Sequence, residues 1–555
     1  MKRLSQPAVL WAFVVVALFA WLGTRGLNEP DEGRYAEIGR EMAASGDWLI
    51  PRLNGFEHFQ KPPLLYWATA LSLRAFGVNE WAARLPSALA ALGTLYLTWH
   101  IATILFGARI RAMAVLVLVS TAEFLLLSRT LTPDMMLTFW TTLSIACLVE
   151  YVAGRGGQSW RIGFFVAMGL GFLCKGPMAL LVPTSAAVCW QISLRRRGSR
   201  VPLGWGTGLP ISLTIAASWF ALVALRHPTL VDYFLGYELR DRLFSSVHGR
   251  SQPVWFFVPV LLGGMLPWTP VLVVVFVEAC KALRARAAAS PESWLLCGWV
   301  VPPFVILSLS GSKLATYVLP LFPALALLIA RWCAVHAASR AFRRVVGGSI
   351  LCALAVTAAL PVVLVVLRSS DALYHDVWFA QEFAFVLLLL TCFFAALLSR
   401  VVRRQSATTA VLALGGGATI LWVGLVTQAD RLLVAEGGSV RPLARIVEMM
   451  PCALSAEIFA YEVRGNGLEF YLQRLVSRTE NQSSIVLPPS EGQKSRLITS
   501  PRSYLGELGN RPAVALVSPK ALTPSGSFAS WHVLGRSGRH ALVANDAACA
   551  SGRGT

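Results

Sequence analysis

Asp31 and Glu32 follow Pro30 just beyond a long apolar stretch, in the string Asn28-Glu29-Pro30-Asp31-Glu32-Gly33-Arg34-Tyr35. An ionisable pair at a membrane interface is costly unless it is used. A carboxylate there can accept a proton, orient an acceptor or hold a cation. It can equally cap the helix that follows, taking up free N–H groups and opposing the dipole. The residues alone leave both roles open for Asp31. Lys61 sits between Gln60 and Pro62-Pro63, on a segment the prolines stiffen. Its ammonium then meets either a phosphate or, by snorkelling, the lipid headgroups. Lys175 and Lys313 carry the same two readings, and three lysines converging with Arg34 would make an anion site. Asp134 opens another apolar stretch five residues after Arg129, a candidate ion-pair partner. Tyr317 lies four residues after Lys313, on the same face if the segment is helical, or serves as an interfacial anchor.

Membrane-spanning helices must position these groups. The chain has 555 residues, 55% hydrophobic and only 14% charged, far from the quarter charged that is usual in soluble domains. A window of about 20 apolar residues picks out about thirteen spans, at 7–24, 82–104, 110–127, 135–152, 161–175, 177–194, 205–225, 253–279, 293–309, 314–333, 345–367, 380–399 and 408–426. The first has no small-x-small cleavage site at Ala20-Trp21-Leu22-Gly23 and reads as a retained anchor. Alternate connections carry arginine clusters, among them Arg195/Arg196/Arg197/Arg200 and Arg340/Arg343/Arg344. Such loops stay cytoplasmic, which places the N-terminus inside and the tail outside. The net charge of +20 therefore reads as topology rather than as a nucleic-acid surface.

The opposite face carries the long loops 25–81 and 226–252. In the first, Tyr35, Ile38 and Met42 form an apolar stripe, with Glu37, Arg40 and Glu41 turned away, as in a helix lying on a bilayer. The second holds Glu238 and a lone His248, whose isolation argues against a metal ligand. The tail, 430–555, reads as a small α/β domain: strands at 455–461 and 512–517, a helix at 468–476, and a hairpin at 531–545. Ten cysteines lack metal-ligand spacing; Cys452 and Cys549 are the one candidate disulfide. No phosphate-cradling glycine loop and no GxSxG motif is present, so an ATP-driven pump or serine hydrolase is unsupported. A lipid or ion transporter would place charges at span centres and show an internal repeat; Asp31, Lys61, Asp134, Lys175 and Lys313 all sit at outer ends.

Several strings together resemble the lipid A aminoarabinose transferases, members of the wider GT-C group that includes protein O-mannosyltransferases. They are Pro30-Asp31-Glu32-Gly33-Arg34-Tyr35-Ala36-Glu37-Ile38, Phe59-Gln60-Lys61-Pro62, Leu131-Thr132-Pro133-Asp134, Cys174-Lys175-Gly176-Pro177 and Gly311-Ser312-Lys313-Leu314-Ala315-Thr316-Tyr317. The resemblance implies a GT-C membrane domain over 1–429, a periplasmic α/β domain over 430–555, and a bacterial inner-membrane location. It implies an inverting enzyme moving 4-amino-4-deoxy-L-arabinose, or a related sugar, from undecaprenyl phosphate to lipid A phosphate, giving resistance to polymyxin-like cationic peptides. By the same resemblance Asp31 is the essential acidic residue and Lys61 the lysine beside the donor phosphate. Glu32, Arg34, Tyr35, Asp134, Lys175, Glu238, Lys313 and Tyr317 are then cavity residues. Gln60 stands where the family often has Glu, which argues against a metal beside Lys61, so no metal or other cofactor is expected to be required. Leu239 follows Glu238 where the family commonly has His, a difference on the acceptor side. A phosphate acceptor is already anionic, so Asp31 would orient or tune rather than act as a strong base. The rival within the fold is a polyprenyl-phosphate-sugar transferase with a protein or another glycan as acceptor.

Overall fold

The computed structural model describes residues 7–155, 157–234, 252–285, 289–337, 339–369, 377–402, 407–427, 438–450, 456–463, 465–479, 491–494, 496–499, 501–508, 511–523 and 526–550. They divide into two compact units, one of 1–20, 87–363 and 377–426, the other of 21–86, 364–376 and 427–555.

The first unit is helical, as it must be where no water is present to satisfy backbone groups. Among the described residues six helices are long and apolar enough to cross a membrane, or seven if one bent pair is counted as a span. Shorter apolar helices include Pro7–Phe19 and Val411–Thr427. The stretch expected at 110–127 is that bent pair, Ala108–Val119 and Ala122–Ser128, angled at 71°. Its break follows from Ser120 and Thr121. Their hydroxyls turn back onto the carbonyls of Leu116, Val117 and Leu118, and Ser120 also accepts from the indoles of Trp268, 2.8 Å, and Trp422, 3.0 Å. Side chains inserted into a helix ladder in this way bend it. The stretch expected at 253–279 is likewise divided, into Phe257–Gly264 and Thr269–Arg284, with Pro267 in the gap removing a donor.

The second unit joins the first long loop to the tail. Helix Asp31–Ser45 packs on helix Leu64–Phe76 and on the tail helix Gly467–Leu472. A hairpin of β1 (Arg52–Leu53) and β2 (Phe56–Glu57) follows; its Asn54-Gly55 turn has φ of 54° and 76°, the geometry such a pair favours. The tail sheet comprises β3 (Glu457–Tyr461), β4 (Ser477–Thr479), β5 (Leu497–Ile498), β6 (Ala513–Val517), β7 (His532–Ser537) and β8 (His540–Ala544), in the order β5-β4-β3-β6-β8-β7. β3 runs parallel to β4 and β6, and β8 antiparallel to β6 and β7. Because successive side chains face opposite ways, Ile458, Val514, Leu516 and Leu542 pack against helices Arg441–Met449 and Gly467–Leu472, while Phe459, Val517 and Val543 pack with Leu508, Phe528 and Trp531.

Two expectations are corrected. The helix foreseen over 468–476 ends at Leu472, where Gln473 takes φ 51° and the chain turns into β4. The first-loop helix is not a bilayer-surface helix with a wet polar face: Glu37 is 0% exposed and Glu41 9%. The tail covers the face expected to be polar, and its acids are paired within it. Glu37 binds Arg40 through two 2.7 Å bonds, and Glu41 accepts from Gly55 N at 2.8 Å.

Candidate functional site

In the second unit, Pro30 precedes the helix and Asp31 is its first residue, so Asp31 does not serve as the N-cap. The first-turn amides are met by backbone instead, Glu32 N donating to Asn28 O at 3.0 Å and Arg34 N to Pro30 O at 3.3 Å, while the Glu32 carboxylate turns back to accept from Asn28 N at 3.0 Å. The Asp31 carboxylate is 55% exposed and accepts from Arg34 Nη2 at 2.6 Å. An exposed pair of this kind contributes about 0–1 kcal/mol, so Asp31 can exchange Arg34 for a substrate at little cost. Arg34 lies over the Tyr35 ring, 5.0 Å from its centre, and that ring lies 6.1 Å from Tyr66. Close to this group is His58, fully buried. Burial first, then the nearby Arg34 and Lys61 charges, push its imidazole down to about 3. His58 is therefore neutral, and Arg34 and Lys61 supply the positive field. A lone histidine carries no spacing signal, so this burial was not legible from residue order.

Glu32, expected as a cavity residue, is turned away from solvent and held by arginines, unlike the exposed Asp31 beside it. It is 1% exposed and clamped by Arg25 at 2.6 Å and Arg84 at 2.8 Å, while Arg84 also donates to the carbonyls of Leu22, Arg25 and Gly26. Burial opposes its charge, yet the two guanidiniums outweigh burial and hold the carboxyl well below the usual range. The two arginines tie the entry strand to the helix that carries Asp31. Glu32→Gln leaves buried guanidiniums underpaired and is expected to cost about 3–5 kcal/mol, read as a lower melting temperature of the purified protein.

Acid should remove the stability that a buried neutral His58 contributes to this unit. His58 binds a proton in the unfolded chain at its ordinary value near 6.5 but in the folded chain only at about 3. Stability is then fully present above pH 6.5 and is lost as pH falls towards 3. Glu32, with its lowered folded value, loses its contribution only below the ordinary carboxylate range. The buried carboxyls Glu29 and Glu37, pushed up by burial, act in the opposite sense, so the expected outcome is a difference: between pH 7 and 5 the melting temperature of the wild type should fall relative to that of His58→Gln.

The first unit holds a second charged group. Asp134 sits in the first turn of helix Pro133–Val152, and Lys175 ends helix Gln158–Lys175. The Lys175 ammonium donates to Asp134 Oδ1 and lies 4.6 Å from the centre of the Tyr317 ring. The two helices come close because Gly171 has no side chain: a Cβ there would lie 2.9 Å from that of Ala179 and 3.0 Å from that of Trp140. Asp134 thus pairs with Lys175, while Arg129 turns to the carbonyls of Ala17, Leu18 and Ala20 and closes the end of the first helix. Tyr317 meets Lys175, not Lys313 across a helical turn, because Lys313 precedes the short 3-10 segment Ala315–Leu321. Lys313 is buried and donates to the carbonyls of Gln252, 2.9 Å, and Ser310, 2.6 Å. Glu238, His248 and Cys452 lie outside the described residues. Among those described, no group of three His, Cys, Asp or Glu side chains could hold a metal ion.

Arg34 beside an accessible carboxylate, with Lys61 near the same His58 as Arg34, is an arrangement that can bind an anion and stabilise charge on a departing oxygen. Comparison with known proteins points the same way. Residues 60–221 match the family described as dolichyl-phosphate-mannose-protein mannosyltransferase. The undecaprenyl phosphate-alpha-4-amino-4-deoxy-L-arabinose arabinosyl transferase of Edwardsiella ictaluri is 33% identical over 334 residues, 60% of each chain. Its namesake from Yersinia pestis is 32% identical over 373 residues, 65% of each. The chain thus aligns with 60% and 65% of the length of these two curated relatives. Crystal structures of ArnT from Cupriavidus metallidurans extend the likeness. The form bound to undecaprenyl phosphate has a TM-score of 0.76 at 27% identity, over 97% of this chain and 98% of that one. The resemblance to the aminoarabinose transferases is borne out. The apo form of ArnT agrees, with a TM-score of 0.76 at 28% identity over 99% of each chain. Together with the apolar helices, the likeness to ArnT makes this a polytopic membrane protein of that fold.

Proposed function

We propose that the chain is a membrane glycosyltransferase moving 4-amino-4-deoxy-L-arabinose, or a related sugar, from undecaprenyl phosphate to a phosphate of lipid A. The observation that carries this reading is Asp31, more than half exposed at the start of its helix, beside Arg34 and with Lys61 near the same buried His58. Likeness to an ArnT bound to undecaprenyl phosphate supports it. In the reaction the bond from the sugar's anomeric carbon to the donor phosphate oxygen breaks, and a bond to an acceptor phosphate oxygen forms on the opposite face. Lys61 and Arg34 meet the donor phosphate and stabilise the charge it gains as it leaves. Asp31 orients the acceptor and tunes the field at the anomeric carbon. Tyr35 holds Arg34 by its ring face. Asp134, Lys175, Lys313, Tyr317 and Glu238 keep the role of cavity residues that the resemblance gives them. No metal enters this scheme.

The same reading takes the helices of 1–429 as about thirteen spans, with the N-terminus cytoplasmic, the 25–81 and 226–252 loops on the outer face, and the 430–555 domain in the periplasm of a Gram-negative inner membrane. Adding an amine-bearing sugar lowers the negative charge of lipid A and its attraction for cationic peptides such as polymyxin. Mass spectrometry of lipid A from cells with and without the chain tests the reading. An aminopentose present only with the chain supports it. Unchanged lipid A beside a changed protein or glycan would move the activity to another acceptor, and loss of a transported solute alone would replace it with a transporter.

A further inference from the structure

Glu29 is 6% exposed and faces the tail rather than solvent. Its Oε2 accepts from Asn466 N at 3.0 Å and its Oε1 from Gly467 N at 2.6 Å, so one side chain bonds two successive amides far along the chain. Space for it is made by two glycines. A Cβ on Gly33 would strike the Glu29 carboxylate and lie 2.6 Å from Gly467 N, and a Cβ on Gly467 would lie 2.5 Å from Glu29 Oε1. The Gly33 of the first-loop string is therefore needed for close approach of the tail. Other bonds tie the same strand to the tail: Leu27 N donates to Tyr471 Oη at 2.8 Å, and Arg441 donates to Thr24 O at 3.0 Å. Asn54, after the helix, exchanges bonds with both the N and the O of Val476. The helix bearing Asp31 and Arg34 is thus fixed before and after by tail backbone.

We propose that Glu29 is a positioning residue and that the tail, through Glu29, Tyr471 and the Asn466-Gly467 turn, sets where Asp31 and Arg34 point. The tail then works as a clamp on the catalytic loop and needs no substrate site of its own. This rests on the transferase reading for its kinetic consequence but not for its structural one, and the test separates the two.

Full-length wild type, Glu29→Gln and Tyr471→Phe are purified in detergent, and hydrogen exchange is followed at 24–35 and 466–471 alongside sugar transfer per folded molecule. Glu29→Gln keeps volume and one acceptor oxygen. Tyr471→Phe touches the same strand from the tail side, so it decides the matter if the first variant does not fold. The expected result is exchange faster by about tenfold at Asn466, Gly467 and residues 31–34, with a raised donor KM and kcat/KM lower by about tenfold or more. A merely structural role would reduce the folded fraction and leave KM unchanged. Exchange that quickens only at 466–467, or wild-type KM and kcat in folded variants, overturns the proposal. Should the wild type itself transfer nothing, the transferase reading fails, and the exchange at 31–34 alone decides whether the tail holds the loop.

Discussion

Asp31→Asn is expected to fold normally and to transfer sugar about 10²–10⁴-fold more slowly than the wild type. Normal folding follows from exposure: among the described residues the carboxylate pairs with Arg34 across one helical turn, at 2.6 Å, and losing such a pair changes stability by less than about 1 kcal/mol. Under the proposed scheme the kinetic loss belongs to kcat, because there Asp31 acts on the acceptor and on the charge that develops at the anomeric carbon, neither of which sets donor affinity. A donor KM within a few-fold of wild type is therefore part of the prediction. Steady-state transfer by the purified variant checks it; wild-type kcat at normal folding would remove Asp31 from the mechanism.

Lys61→Ala should cost about 10²–10³-fold in kcat/KM, the usual effect of deleting one fixed group that meets charge on a departing oxygen. Here the donor phosphate is bound and also leaves, so KM rises and kcat falls together. Lys61→Arg, which keeps the charge, should recover part of the loss. An independent reading comes from His58, whose imidazole is held at about 3 in part by Lys61. In Lys61→Ala the His58 value should move up, visible in the ring's NMR shifts, whether or not donor is present. An unmoved His58 would mean that Lys61 points elsewhere.

Sequence patterns carried the helices far better than the contacts between them. Long apolar runs declare themselves because lipid leaves a backbone no other choice, and the strand at 457–461 was legible from its β-rich composition. The break at Ser120-Thr121 was not, since it depends on Trp268 and Trp422 arriving from remote parts of the chain. The buried state of Glu37 and Glu41 was hidden for the same reason. A helix read alone shows a polar face, and nothing local tells that the tail will cover it. Asp31 and Lys61 stood out by residue type and placement, whereas the contact of Lys175 with Tyr317 joins segments more than 140 positions apart and left no local trace. Glu32 looked equivalent to Asp31, yet its partners Arg25 and Arg84 make it a strut. Adjacent residues on a helix point about 100° apart, so one carboxylate faces outward while the next is buried. Glu29 gave no signal at all, because its partners are backbone amides more than 400 positions away.

Sugar transfer from undecaprenyl phosphate to lipid A phosphate is the proposed activity that every residue role above depends on. The most direct measurement places the purified full-length chain in liposomes with undecaprenyl-phosphate aminoarabinose and lipid A, and reads the lipid A by mass spectrometry. The expected result is a mass gain of one aminopentose on lipid A, at a phosphate, dependent on the donor and slowed about 10²–10⁴-fold by Asp31→Asn. Lipid A unchanged in the presence of folded protein and intact donor would contradict it.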